Sequence, residues 1–356
     1  MRTIRNCNVA VVGGAGFLGS HLVNYLIDDR NCRVLVVDNL VAGRREWVHP
    51  KADFEHADIT ESEDHLSKLF AKYGVRHVFN YAAWPYIVDS FSRPLHVFNV
   101  NATGAIKVIN AAQSAGCEAI LQVSSAELYG GPSQEDVEML MRHGKHYVGG
   151  RTLDHPIKAK RIDESFPIEP HSTYGAAKAA VDYYCQTAWR ERKTPVIALR
   201  QFNCVGPRDI LHPYVIPEIY KQLRQQKTTL SNVGLGGKAK VKLGNNSYRD
   251  FLDAEDAVKM AVELLEYGQP GEVYNSGSET GIKIYDLARL IGKIMGFSDV
   301  EIERDESRVR PWEIWHLAAD CSKLYSVIKY RPRFTLEESL RKTIAYFDET
   351  ADHWLW

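Results

Sequence analysis

Through the first half of the chain, short apolar runs alternate with longer segments that mix apolar and polar positions. The runs read as buried strands and the longer segments as helices. Asn8–Val12 is a short β-branched run that ends in glycines, and Phe17–Asp28 reads as a helix. Val34–Val37 is a second strand closed by Asp38, Asp53–His56 a weaker third, and His65–Lys72 a helix. Val75–Asn80, Ala119–Val123 and Pro195–Leu199 supply three more strands, with helices at Leu95–Ala115 and Thr173–Arg192 between them. Fully apolar strands separated by helices predict a parallel sheet covered on both faces. Short connections and right-handed crossovers then predict a doubly wound α/β fold.

The second half is less regular. Leu211–Lys242 mixes a helix with a Gly/Lys-rich stretch, Asp253–Tyr267 reads as a helix and Glu272–Asn275 as one more strand. Ile284–Met295 and Leu336–Phe347 are amphipathic helices. With no repeat and no low-complexity linker, two interleaved parts are expected: 1–203 with 248–278 as a nucleotide-binding domain, and 204–247 with 279–356 as a smaller substrate domain. A polar insertion, 132–163, carries His143, Lys145, His146, Arg151, His155, Lys158, Lys160 and Arg161. It reads as a solvated surface insertion or as a lid or oligomer contact.

Forty-four Lys+Arg against 45 Asp+Glu give a net charge of -1. That balance offers no overall pull toward nucleic acid or an anionic membrane, so any anion site must be local. The spacing of the six cysteines suggests neither a metal site nor a disulfide framework. The polar Met1–Asn6 segment lacks signal-peptide character, and no apolar run spans a bilayer. A soluble cytoplasmic protein with reduced thiols is expected.

Candidate chemistry begins at the first strand–helix turn. Gly13, Gly16 and Gly19, with Phe17 and Leu18 between the last two, have the G-x-x-G-x-x-G spacing. Glycines there permit a tight turn and close approach of a pyrophosphate to a helix N-terminus, the Rossmann arrangement. Asp38, followed by Asn39, ends the second strand where an acid accepts hydrogen bonds from a ribose and repels a 2′-phosphate, so NAD is expected over NADP. Arg44 and Arg45 pull slightly the other way. Asp58 and Ile59 follow the third strand, and Tyr81, Ala82 and Ala83 the fourth, as further cofactor contacts.

Ser124 and Ser125 close the fifth strand, facing the ligand crevice of such folds. Tyr174 and Lys178 stand four apart on one helix face. An ammonium near the phenol is expected to lower its pKa and make it a base for a sugar hydroxyl.

Taken in order, Gly13–Gly19, Asp38, Ser124–Gly130, Tyr174 and Lys178 resemble the extended short-chain dehydrogenase/reductase family, in its NAD-dependent nucleotide-sugar epimerase/dehydratase branch. Leu199–Arg208, Tyr248–Leu252 and Arg310-Pro311 add later markers, and the resemblance covers nearly the whole chain. It implies a Ser125–Tyr174–Lys178 catalytic triad, with Asn203, Arg249 and Arg310 on a nucleotide diphosphate. It implies no metal, a nucleotide-sugar substrate (a UDP-sugar foremost) and a homodimer through Leu95–Ala115 and Thr173–Arg192.

A shared first step, oxidation at sugar C4 to a 4-keto sugar, leads to three outcomes. Glu127 stands where dehydratases and decarboxylases of the branch carry a working glutamate. Ala126 departs from both patterns and fits an epimerase, as does Asp38-Asn39-Leu40. Epimerisation is placed slightly ahead of 4,6-dehydration, with uronic acid decarboxylation third. A simple NAD-dependent reductase and a non-catalytic NAD-binding protein remain as alternatives.

Overall fold

The computed structural model describes residues 2–130, 146–148, 151–153, 161–209, 214–230, 237–310 and 312–350. Its largest sheet is parallel throughout. The strands are β1 (Asn8–Val12), β2 (Arg33–Asp38), β3 (Asp53–His56), β4 (His77–Asn80), β5 (Ala119–Ser125), β8 (Val196–Gln201) and β12 (Val273–Ser276), in the spatial order β12-β8-β5-β4-β1-β2-β3. The order reverses at β1, the switch point beside which ligands bind in doubly wound sheets. Residues of β1 alternate between two cores. Val9 and Val11 pack on one face, with Leu22 and Leu26 of α1 (Phe17–Asp28), and Ala10 and Val12 on the other. Burial on both faces is why these strands are continuous apolar runs.

The second face is covered by α2 (Glu63–Lys72), by the helical run from Pro94 to Ser114, and by α6 (Thr173–Arg192). The expected single helix Leu95–Ala115 is α4 (Pro94–Phe98), a π-helical segment Asn99–Gly104 and α5 (Ala105–Ser114), preceded by a short α3 (Asp89–Ser92). Gly104 lies in the π segment, where an added Cβ would sit 2.8 Å from Ile59. Ser172 caps α6, its hydroxyl accepting from Gly175 N at 3.1 Å.

The remaining strands form a smaller part: β9 (Asn203–Val205), β10 (Lys238–Leu243), β11 (Tyr248–Asp253), β13 (Gly281–Lys283), β14 (Asp299–Arg304) and β15 (His316–Leu317). β10 pairs with β14 in parallel, while β9, β13 and β15 pair with β11. Helices α7 (Val215–Leu230), α9 (Ile284–Ile294) and α11 (Leu336–Thr350) enclose its core through Ile219, Leu223, Leu287, Ile291, Leu340 and Phe347. The expected division placed 248–278 with the nucleotide-binding part. β12 and α8 (Ala254–Tyr267) do pack there, but β11 belongs to the small sheet, so 248–253 moves to the smaller part.

The Gly/Lys-rich reading also gives way at β10, where Lys238, Lys240 and Lys242 point outward and Ala239, Val241 and Leu243 are buried. Within the insertion 132–163, β6 (His146–Val148) and β7 (Arg151–Leu153) pair antiparallel. The rest of that insertion up to residue 160, and with it the lid or contact reading, lies outside the described residues. Among the described residues no group of acids, histidines and cysteines is placed to hold a metal, and no helix is long and apolar enough to cross a membrane.

Candidate active site

A cavity of about 520 Å³ opens at the carboxyl ends of β1, β4 and β5 and is roofed by the smaller part. Every residue singled out from the sequence as a site candidate lines it. On the nucleotide side, Gly13 takes a left-handed φ of 79°, and a Cβ there would sit 2.6 Å from Ala82 N. A Cβ on Gly19 would come within 2.0 Å of the Gly13 carbonyl oxygen, so only glycine lets α1 start this close to the turn. At Gly16 the neighbour within 4 Å is that same carbonyl, at 3.3 Å, which leaves its outer side open to the cavity. This is a cradle that side chains would fill.

Asp38 is more occupied than expected. Its two carboxylate oxygens accept from Ala15 N at 2.9 Å and Leu40 N at 2.8 Å, so it braces the glycine turn as well as facing the cavity. Burial pushes its carboxyl upward, against the pull of those two donors. Asn39 donates to Asp58 at 2.8 Å. Burial raises Asp58, but hydrogen bonds from Thr60 and Asn39 outweigh it and the net shift is downward. Tyr81 and Gln201, from β4's end and β8, each keep a buried oxygen with no partner among the described residues, and both line the cavity. A glycine cradle, an acid at the end of β2 and unpartnered polar atoms between them fit a dinucleotide.

At the end of β5 the two serines diverge. Ser124 donates to the Lys178 carbonyl at 3.4 Å, a contact that fixes α6 against the strand. Ser125 Oγ accepts from Glu127 N at 3.2 Å and lines the same cavity as Tyr174. Lys178 Nζ donates to the Val123 carbonyl at 3.2 Å and lies 5.8 Å from the Tyr174 ring centre. The expectation that Lys178 lowers the Tyr174 pKa is corrected here. Burial dominates and pushes Tyr174 up to about 12, the nearby Ser125 hydroxyl opposing it, while burial drives Lys178 down to about 8. Ala126 is packed into the core and does not line the cavity; Glu127 does. Burial raises Glu127, with Arg249 and Arg310 pulling it back.

On the roof, Arg249 is not a free clamp. It donates to the Tyr248 carbonyl at 3.1 Å and the Ile314 carbonyl at 2.5 Å, and forms an ion pair with Glu313. Arg310 and Asn203 line the cavity, and the Arg310 backbone is held on both sides by the Asn245 amide. Sequence reasoning missed Trp84, Gln201, Asp209, Tyr214, Arg308 and Glu313, which complete the wall. Glu313 was within reach, three residues beyond Arg310. Gln201 lies inside the Leu199–Arg208 marker, and the others belong to no spacing pattern.

A doubly wound parallel sheet with a glycine cradle at its switch point and a Ser–Tyr–Lys cluster beside it defines a dinucleotide-dependent enzyme of the extended short-chain dehydrogenase/reductase branch. The chain belongs to the NAD dependent epimerase/dehydratase family, whose model matches residues 9–277. NAD is its cofactor. Among known proteins it is 28% identical over 360 residues to the human dTDP-D-glucose 4,6-dehydratase, covering 97% of this chain and 91% of that one. It is 27% identical over 349 residues to the UDP-glucose 4-epimerase of Streptococcus mutans, covering 95% and 94%. In fold it matches the UDP-glucose 4-epimerase of Thermotoga maritima, solved with UDP-glucose, at a TM-score of 0.79 and 24% identity over 97% of this chain and 99% of that one.

Proposed function

We propose that this enzyme acts on a nucleotide-sugar, a UDP-sugar foremost, by transient oxidation at sugar C4, and that return of hydride to the opposite face makes it a 4-epimerase. The observation that carries this reading is the convergence of Ser125, Tyr174 and Lys178 on one wall of the cavity that the glycine cradle also lines. When bound, NAD supplies the hydride acceptor and later the donor. Tyr174 removes the proton of the C4 hydroxyl, and Ser125 orients that oxygen through its own hydroxyl. Lys178, held by the Val123 carbonyl, would hold the ribose of the bound cofactor. Asn203 and Arg310 face the diphosphate, and Arg249 acts there mainly by holding Glu313. Epimerisation needs nothing beyond the triad, which agrees with Ala126 being a core residue.

A second reading, 4,6-dehydration, is favoured by one observation: Glu127 lines the cavity together with Tyr174, as a base for the C5 proton must. Incubation with NAD and a panel of UDP-, dTDP-, GDP- and CDP-sugars, uronic acids included, followed by mass-resolved chromatography, separates the readings. Unchanged mass with shifted retention means epimerisation, loss of water dehydration, and loss of CO₂ decarboxylation. NAD that leaves on dialysis, with net reduction each turnover, would overturn the reading in favour of a simple reductase.

We further propose that the enzyme works as a cytoplasmic homodimer. Phe91, Leu95, Phe98 and Tyr183 leave an apolar face exposed along α3, α4 and α6.

A further inference from the structure

Asp209 is a buried acid that the reaction above does not use. It lies just beyond β9, is 4% exposed, and lines the cavity. Its backbone N–H donates to the Gly206 carbonyl at 3.2 Å. Among the described residues, its carboxyl oxygens take no hydrogen bond and no ion pair. The other buried acids are all partnered. Asp182 holds Arg200, and Asp250 accepts from Ser278, Glu279 and Ala319. Asp253 takes Ser339 and Lys342, Asp256 takes Tyr330 and Arg333, and Glu266 takes Arg30. A carboxyl on a residue only 4% exposed, with no side-chain partner among the described residues, is held at a desolvation cost, and the cavity it lines is where a partner could reach it.

The Tyr214 hydroxyl, which donates to the Pro85 carbonyl at 2.6 Å, lines the cavity with Asp209. Asp209 and Tyr174, the base that meets the sugar, line this one cavity. Burial pushes its carboxyl up to about 8, so that near neutral pH it offers both a donor and acceptors.

We propose that Asp209 is a specificity-determining residue that hydrogen-bonds a hydroxyl or amino group of the sugar. The inference rests on the nucleotide-sugar reading of the cavity, and its test separates the two. Affinities are measured in the Tyr174→Phe protein, with NAD, for UDP-glucose, UDP-galactose, UDP-glucosamine, dTDP-glucose, their monodeoxy analogues, and free UDP and dTDP. Addition of Asp209→Asn is expected to weaken at least one sugar nucleotide about tenfold or more, to leave free UDP and dTDP unchanged, and to raise Tm by removing the unpartnered acid. One deoxy analogue should bind the parent about tenfold more weakly than the full sugar, and equally to both proteins; it identifies a hydroxyl as the group read. A loss confined to UDP-glucosamine identifies the amine.

Equal affinity of parent and Asp209→Asn for every sugar nucleotide overturns the role of Asp209 and leaves the nucleotide-sugar reading standing. A parent that binds neither these sugar nucleotides nor free UDP and dTDP, and no GDP- or CDP-sugar either, overturns both. Should Asp209→Asn not fold, the parent decides alone: full-strength binding of UDP-glucosamine's neutral counterpart and of every deoxy analogue overturns the role.

Discussion

Arg249 and Glu313 meet as an ion pair closed off from solvent, 7% and 8% exposed, in the roof of the cavity. The arginine's other hydrogen bonds go to the carbonyls of Ile314 and Tyr248. Its burial and bonding make it a strut between β11 and the segment before β15. Breaking one side of a buried pair strands the other charge, at a cost of about 3–5 kcal/mol. Arg249→Met is therefore expected to lower unfolding free energy by about that much in a urea titration, with any loss of substrate affinity secondary. A variant of wild-type stability with a raised KM would instead make Arg249 a dedicated diphosphate clamp.

This pair also shows where the sequence stops being readable. The large sheet was legible because its strands are buried on both faces, so Val34–Val37 and Ala119–Val123 stand out as unbroken apolar runs. β11 reads Tyr-Arg-Asp-Phe-Leu-Asp, with charges on a strand that is almost wholly buried. Asp250 survives there because Ser278, Glu279 and Ala319 satisfy it from distant parts of the chain. Nothing local announces those partners. The motif residues of the site were legible because each chemistry needs a residue type at a fixed spacing. Asp209, Tyr214 and Glu313 join the wall only through tertiary packing, and Ala126 proved a core position, which no spacing could tell.

Tyr174→Phe removes the proposed base and keeps the ring. Turnover is expected to fall about 10²–10⁴-fold while NAD remains bound, as read by cofactor retained through gel filtration. A base works when deprotonated, and burial holds Tyr174 up to about 12. The rate should accordingly rise with pH through neutrality. Because burial and not Lys178 sets the Tyr174 pKa, Lys178→Met should weaken NAD retention and leave the rising limb where it is. A limb moved to higher pH would restore Lys178 as the cation that favours the phenolate.

His77 offers a pH test that does not involve the site. It is 1% exposed in β4, and neither ring nitrogen has a partner among the described residues. Burial lowers its pKa from 6.5 to about 4, so the folded state holds the ring neutral. Its effect on stability vanishes above about pH 6.5, where both states are neutral. As pH falls from there toward about 4, the unfolded chain binds a proton that the folded chain refuses, and stability is lost. In urea titrations across that window, His77→Leu should flatten the acid decline. An unchanged slope would assign the decline to other groups.

Leu95 tests the dimer. It is 85% exposed on α4, beside Phe91 and Phe98, with Tyr183 of α6 on the same side of the fold. Contiguous apolar side chains on a soluble surface mark an interface. A two-fold pairing would set the same face of one copy against that of another, so a single substitution enters the contact twice. A carboxylate at this position would then lie in an apolar interface without a cation and would repel its symmetry mate. Leu95→Glu is expected to convert a dimer to a monomer in light scattering coupled to gel filtration, with NAD still bound because the cavity is formed within one copy. A wild-type protein already monomeric at micromolar concentration would overturn the dimer, and a Leu95→Glu dimer would move the interface to another face.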